Sequence, residues 1–282
     1  MQDFDSQGFV QLPGFFDSGE IAAFEERLAH LYVMQARKIA DYRGAVDSLI
    51  ANEESPSAIV SRICDMMEES DKAALYQVQK MMPSCQSLRW LFGGVFLGRC
   101  ATILGRSVDP GNLLLDGPAL FVSRPNSERL LYKFHSEAHY YPRRRRFLNC
   151  WMPIFVDRTV ENGAMTLVPG SHKQHWDFVE YTGYSKATEG KAHHFVQFEI
   201  PENHFEDFPL RHVCETRRGD VVLFHRNLIH RSNGNTSPNY AFAIVARIWD
   251  PSEDLTLSGE LAVTPYSGRD IGRADMVVAR DA

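Results

Sequence analysis

The 282-residue chain has no apolar run near the ~18–20 residues of a membrane span, so no membrane partner is expected. Cysteine is sparse. Cys64, Cys85, Cys100, Cys150 and Cys214 are odd in number and never spaced Cys-x-x-Cys. This argues against a disulfide framework and a thiolate zinc site, and favours reduced, buried thiols in a cytoplasmic protein. Positive charge is not in excess: 30 Lys and Arg stand against 36 Asp and Glu, a balance of -6. A nucleic-acid partner, which calls for a broad basic surface, is therefore not expected. The start, Met1-Gln2-Asp3-Phe4-Asp5, lacks the basic and apolar parts of a secretory signal, which again points to the cytoplasm. No phosphate-binding loop, no Gly-x-Gly-x-x-Gly after a strand and no nucleophile elbow is present.

What is there is a chain rich enough in apolar residues to bury a large core, with two textures. The first ~110 residues read as helical. Asp17 and Glu20 form the pattern of a capping box, and Ile21, Phe24, Leu28 and Leu31 recur at helical intervals behind it. Further helices are predicted over 57–82 and 86–104, closed by Gly105 and Pro110. Met66, Met67, Met81 and Met82 read as core filler there. From 113 onward the pattern is short strands between turns: 113–122, 130–134, 147–156, 164–168, 195–200, 221–224 and 240–248. That spacing predicts a mainly β fold with α, a jelly roll. One domain is expected over 1–282: a helical buttress to about 110, a jelly-roll core over about 111–250 and a tail over 251–282.

The candidate chemistry lies in His135-Ser136-Glu137. Residues i and i+2 of an extended segment project to one side, so this imidazole and carboxylate can share a metal ion. His230, just past the apolar run Val221–Phe224, can supply a third ligand. Two histidines and one carboxylate leave coordination positions open, the facial arrangement of non-haem Fe(II) oxygenases. A His-x-Glu alone is common by chance, and its neighbours carry the weight.

Those neighbours resemble a known family. Asp5-Ser6-Gln7-Gly8-Phe9-Val10 with Pro13-Gly14-Phe15-Phe16, Phe134-His135-Ser136-Glu137 with Tyr140-Tyr141-Pro142, Trp151-Met152-Pro153, Glu161 through His172, Gly219 through His225, and His230-Arg231-Ser232 follow one another in order. Together they resemble the phytanoyl-CoA dioxygenase-like branch of the Fe(II)- and 2-oxoglutarate-dependent oxygenases, over roughly 5–248. The resemblance implies a cupin-like double-stranded β-helix with helices outside it. It implies His135, Glu137 and His230 as iron ligands, 2-oxoglutarate and O2 as cosubstrates, and oxidation, usually hydroxylation, of a small molecule. Trp151 and Ser232 stand where family members touch the cosubstrate.

Two departures stand out. Glu137 replaces the usual Asp; its carboxylate also argues against a halogenase, where a small residue makes room for chloride. Ala241 falls where the family carries an arginine for the far carboxylate of 2-oxoglutarate, a task suited to a guanidinium fork. Lys133 and Arg247, with Arg124 and Arg231 behind them, are the candidate replacements. The alternatives are an iron oxygenase that does not use 2-oxoglutarate in the usual way, and a non-catalytic scaffold.

Arg143-Arg144-Arg145-Arg146 forms the one basic cluster. It reads either as a charged loop or edge strand balanced by the protein's own carboxylates, or as a grip on an anionic substrate. Tyr140 and Arg143 are the candidates for touching substrate. His172, His139 and the pair His193-His194 read as structural, and His225 as support behind the ligands. Oligomeric state is not legible.

Overall fold

The computed structural model describes residues 2–52, 54–70, 75, 78, 91–105, 108–127, 131–142, 144–182 and 196–253. Its centre is a five-stranded antiparallel sheet in the order β1 (Phe9–Leu12), β8 (Val221–His225), β3 (Arg146–Ile154), β10 (Ala241–Asp250), β2 (Leu114–Ser123). A smaller sheet, β7 (His212–Cys214), β4 (Met165–Leu167), β9 (His230–Arg231), faces it. β5 (Val179–Thr182) and β6 (Val196–Glu199) form a separate pair. Two sheets closed on one interior make the jelly roll that the strand spacing predicted.

Alternation along β3 and β10 sorts their side chains between two environments. Leu148, Cys150, Met152, Ile154, Phe242, Ile244, Ala246 and Ile248 face the helices and join their core. The helices there are α1 (Gln2–Gln7), α2 (Ser18–Ala36), α3 (Arg43–Ala51), α4 (Pro56–Ser70) and α5 (Gly94–Leu104). Trp151 and Ala243 face the small sheet and pack with Met165, Leu167, Cys214, Val222, Phe224 and Leu228.

α2 begins as its sequence predicts. Asp17 accepts from the Glu20 N–H at 2.8 Å, and the Glu20 carboxylate accepts from the Asp17 N–H at 3.1 Å. Ile21, Phe24, Leu28 and Tyr32 on its inner stripe are buried. On the same helix Glu25 reaches the jelly roll: it accepts from the Phe155 N–H and pairs with Arg218 at 2.6 Å. A buried carboxylate held by a guanidinium and an amide ties the helical layer to the β core. The helix expected over 57–82 is described as Pro56–Ser70, and the one over 86–104 as Gly94–Leu104; Met81 and Met82 lie outside the described residues. Cys64, Cys100, Cys150 and Cys214 are buried and form no disulfide, as expected, and Cys85 lies outside the described residues.

Two expectations need correction. The first ~110 residues are not all helical: β1 lies within them and forms an edge of the main sheet against β8. Residues 131–134 form no strand. Their backbone is satisfied one bond at a time: the Tyr132 carbonyl accepts from Ser232 N–H, the Phe134 carbonyl from Ile200 N–H, and the Lys133 N–H donates to Tyr181 Oη. Bonds to three separate partners hold the chain extended without a ladder. Sequence patterning also gave no sign of β5, β7 or β9, each four residues or fewer. Of the tail, 251–253 is a single turn and 254–282 lies outside the described residues. No described helix is long and apolar enough to cross a membrane.

Candidate metal centre

His135 and His230 are joined through their backbones. Each N–H donates to the other's carbonyl, at 3.0 and 2.9 Å, in an isolated antiparallel bridge. Opposed residues in such a bridge carry their side chains on one face, and the ring centroids lie 4.2 Å apart. Ser136 is extended (φ -125°, ψ 149°), so Glu137 returns to the same side as His135. Glu137 Oε1 then lies 3.6 Å from His135 Nε2 and 3.8 Å from His230 Nε2. All three side chains are buried, and one ligand atom of each lies within 4.8 Å of the others. The 3.6 and 3.8 Å separations lie inside the roughly 4.2 Å that two donors bonded to one ion at roughly 2.1 Å can span. Among the described residues this is the one group of three such side chains that could hold an ion.

The surroundings fit a cation. His135 Nδ1 lies 2.7 Å from the Lys133 carbonyl and His230 Nδ1 lies 2.9 Å from the Leu228 carbonyl. A carbonyl only accepts, so each Nδ1 carries the proton and each Nε2 turns its lone pair to the centre. Arg247 donates from Nε at 2.8 Å and from Nη2 at 2.7 Å to Glu137 Oε2, leaving Oε1 for an ion. Burial alone would raise the Glu137 pKa. The Arg247 charge leads the opposing effects, which outweigh burial and hold the carboxyl well below its usual range. Burial, with the neighbouring His135, lowers the His230 pKa. An ionised carboxylate and a neutral imidazole are the forms a metal binds.

The remaining sequence candidates fall into different places. Arg247 is bound to Glu137, as above. Lys133 is half exposed and pairs with Glu199 at 2.5 Å. Arg124 pairs with Glu68 at 3.7 Å, and Arg231 stacks on Phe134. Tyr140 packs edge-on against the His135 ring at 5.8 Å, and its hydroxyl accepts from the Phe198 N–H. Ser232 is half-buried and two residues past His230. Trp151 is buried on the inner face. Arg143 lies outside the described residues, as do His193 and His194. The basic run finds carboxylates of its own: Arg144 pairs with Asp116 and lies over the Trp249 ring, and Arg146 pairs with Asp250. His139 bonds to the Trp176 carbonyl. His225 accepts from the Asn227 N–H and packs on Phe4 and His172, so its support falls on the 225–227 turn.

Two interior polar groups have no counterpart among the sequence candidates. Asn149 is 1% exposed, and neither its Oδ1 nor its Nδ2 has a hydrogen-bond partner among the described residues. Its register partner on β10 is Arg247. Arg158 is 5% exposed, and its Nε and Nη1 are without partners among the described residues. Alternation on β3 could have signalled Asn149, a polar residue among apolar ones. Asp157-Arg158-Thr159 reads as a solvated turn and carries no such signal.

Residues 95–243 match the family described as phytanoyl-CoA dioxygenase (PhyH). No curated protein matches the chain. Among solved structures, the non-haem α-ketoglutarate-dependent carbocyclase SnoK from nogalamycin biosynthesis is 18% identical (TM-score 0.52), with 92% of each chain covered. EctD from S. alaskensis with bound Fe is 16% identical (TM-score 0.55), with 90% of this chain and 77% of that one covered. EvdO2 from Micromonospora carbonacea var. aurantiaca with 2-oxoglutarate is 14% identical (TM-score 0.50), with 91% of each covered. These likenesses establish the shared fold.

Proposed function

This chain belongs to the phytanoyl-CoA dioxygenase family, and from that premise we propose that it is an Fe(II)- and 2-oxoglutarate-dependent oxygenase that oxidises a small molecule, with hydroxylation as its outcome. The observation that carries the reading is the buried cluster of His135, Glu137 and His230, with both Nε2 lone pairs and Glu137 Oε1 turned to one point. Those three side chains would hold the iron. When bound, the iron supplies the redox chemistry that couples O2 reduction to decarboxylation of the cosubstrate and oxidation of the substrate.

The chain's own residues do the rest. The Lys133 and Leu228 carbonyls fix both imidazole tautomers. Arg247 fixes the Glu137 carboxylate and keeps it ionised, which matters more for a glutamate because its longer side chain has one more rotor to restrain. Trp151 and Ser232 would line the cosubstrate. Tyr140, against the His135 ring, and Arg143 would meet the substrate. The buried inner face excludes bulk water from the oxidising centre.

A second reading keeps the iron and drops 2-oxoglutarate; Ala241, fully buried where the family carries an arginine, motivates it. Anaerobic titration separates the readings. Stoichiometric Fe(II), lost in His135→Ala and His230→Ala, with a visible charge-transfer band on adding 2-oxoglutarate, is the expected result. Iron without that band and without succinate formation favours the second reading. No stoichiometric iron overturns both and favours a non-catalytic scaffold.

A further inference from the structure

Arg158 is a buried cation without a counter-ion. Among the described residues no carboxylate lies within ion-pair distance of it. Its Nη2 donates to Ser123 Oγ at 3.1 Å and to the Gly163 carbonyl at 3.0 Å. Nε and Nη1, with three N–H groups between them, are buried and donate to none of the described residues. Burial pushes its pKa down only to about 10, so the guanidinium stays charged at neutral pH. An unpaired buried charge costs several kcal/mol, and orphaned donors add to that. Such a group calls for a completing partner, and a bound anion supplies both the acceptors and the charge.

Its place says which ligand. Ser123 is the register partner of Ala241, so the guanidinium lies beside the position that offers only a methyl group. It also lies 5.6 Å from the Trp151 ring, on the inner face of the sheet. Trp151 pairs with Val245, two residues before the Arg247 that grips Glu137. From the other side, Gly163 lies so close to the Asn233 carbonyl that an added Cβ would come within 2.6 Å of it. Asn233 is three residues past His230, about 10 Å of extended chain. Arg158 and the histidine–glutamate cluster therefore border one interior. The four cations that the sequence offered for this task are committed or turned away. Arg247 and Lys133 hold carboxylates, Arg124 pairs with Glu68, and Arg231, next to the inward His230 on β9, stacks on Phe134.

We propose that Arg158 binds the far carboxylate of the 2-oxo dicarboxylate cosubstrate, supplying from the segment after β3 the charge that position 241 lacks on β10. This rests on the cosubstrate reading above and deepens it. Completion of the two free guanidinium nitrogens by a carboxylate neutralises the buried charge, while the 2-oxo acid end of the same molecule faces the metal centre.

Calorimetric titration of the Mn(II)-loaded protein, which cannot turn over, tests it with two probes: 2-oxoglutarate and pyruvate, which has the 2-oxo acid but no far carboxylate. The wild type should bind 2-oxoglutarate far more tightly than pyruvate. Arg158→Gln should weaken 2-oxoglutarate by roughly 10- to 100-fold, the worth of a charged hydrogen bond, and leave pyruvate unchanged. Arg158→Lys, which keeps the charge without the fork, should fall between. The double variant Arg158→Ala with Ala241→Arg should regain much of the preference. Folded Arg158→Gln and Arg158→Lys that bind 2-oxoglutarate like wild type, or lose both probes equally, overturn the inference alone. A wild type that holds Mn(II) and binds no 2-oxoglutarate overturns the cosubstrate reading with it.

Discussion

The two faces of the central sheet are made by the same strands and differ in every other respect. On the helix side, Leu148, Met152, Ile154, Phe242, Ile244 and Ile248 are buried among apolar helix residues. On the inner side the same strands carry Asn149, Trp151, Ala241, Ala243, Val245 and Arg247, next to the cluster of His135, Glu137 and His230 and to Arg158. The first face is satisfied by itself, because dispersion and water exclusion need no further partner. The second is not: an amide and part of a guanidinium are buried without partners. The contrast separates what holds the protein together from what it is built to receive. A surface optimised for stability alone would not bury orphaned donors.

That contrast can be broken by mutation, and the largest effect belongs to the inner face. Arg247→Met leaves the buried Glu137 carboxylate without its cation and should cost the metal-free protein about 3–5 kcal/mol. Urea unfolding with and without Mn(II) measures this. Much of the loss should be recovered in saturating Mn(II), because the ion then balances the charge. A loss that metal leaves untouched breaks the assignment of Glu137 to the centre. Met152→Ala, on the helix side, should cost about 3 kcal/mol through its cavity. Its Mn(II) affinity should match wild type, and a fall in that affinity would show that the faces are coupled.

The smallest effect, counted per residue and per pH unit, is in acid. Burial lowers His139 and His225 to about 4, from an ordinary value near 6.5. Between those values the unfolded chain binds protons that the folded chain does not, so stability falls as pH drops from 6.5 towards 4. The slope is at most about 1.4 kcal/mol per pH unit for each histidine. Urea midpoints at pH 7, 6 and 5 should decline, and His139→Gln should flatten the decline. A flat wild-type profile would place both rings in contact with water.

Much of this was legible in the residues. The capping box at Asp17 and Glu20, the apolar stripe behind it and the long strands β2, β3, β8 and β10 follow local rules of spacing and capping. The three centre residues were legible because His-x-Glu on extended chain fixes its own geometry, and the ordered motifs around it pointed to His230. The short strands β5, β7 and β9 were not, since two to four residues carry no measurable alternation and exist only where a partner strand waits. Lys133 and Arg247 looked equivalent as free cations; one is bound to a surface carboxylate and the other to the centre itself. Nothing local distinguishes them, because an ion pair spanning 66 or 110 residues is a property of the folded chain.

The sequence by itself determined a mainly β fold with a helical layer, the family, and three side chains able to share an ion, because each depends on residues close together or on motifs in fixed order. Only the tertiary structure decided which cations are already neutralised and which is left bare. Arg158 stands in what reads as an exposed turn, and its burial comes from the return of Ser123, Gly163 and Trp151 around it. Charge compensation is settled by distances across the fold, and those exist only once the sheets have closed.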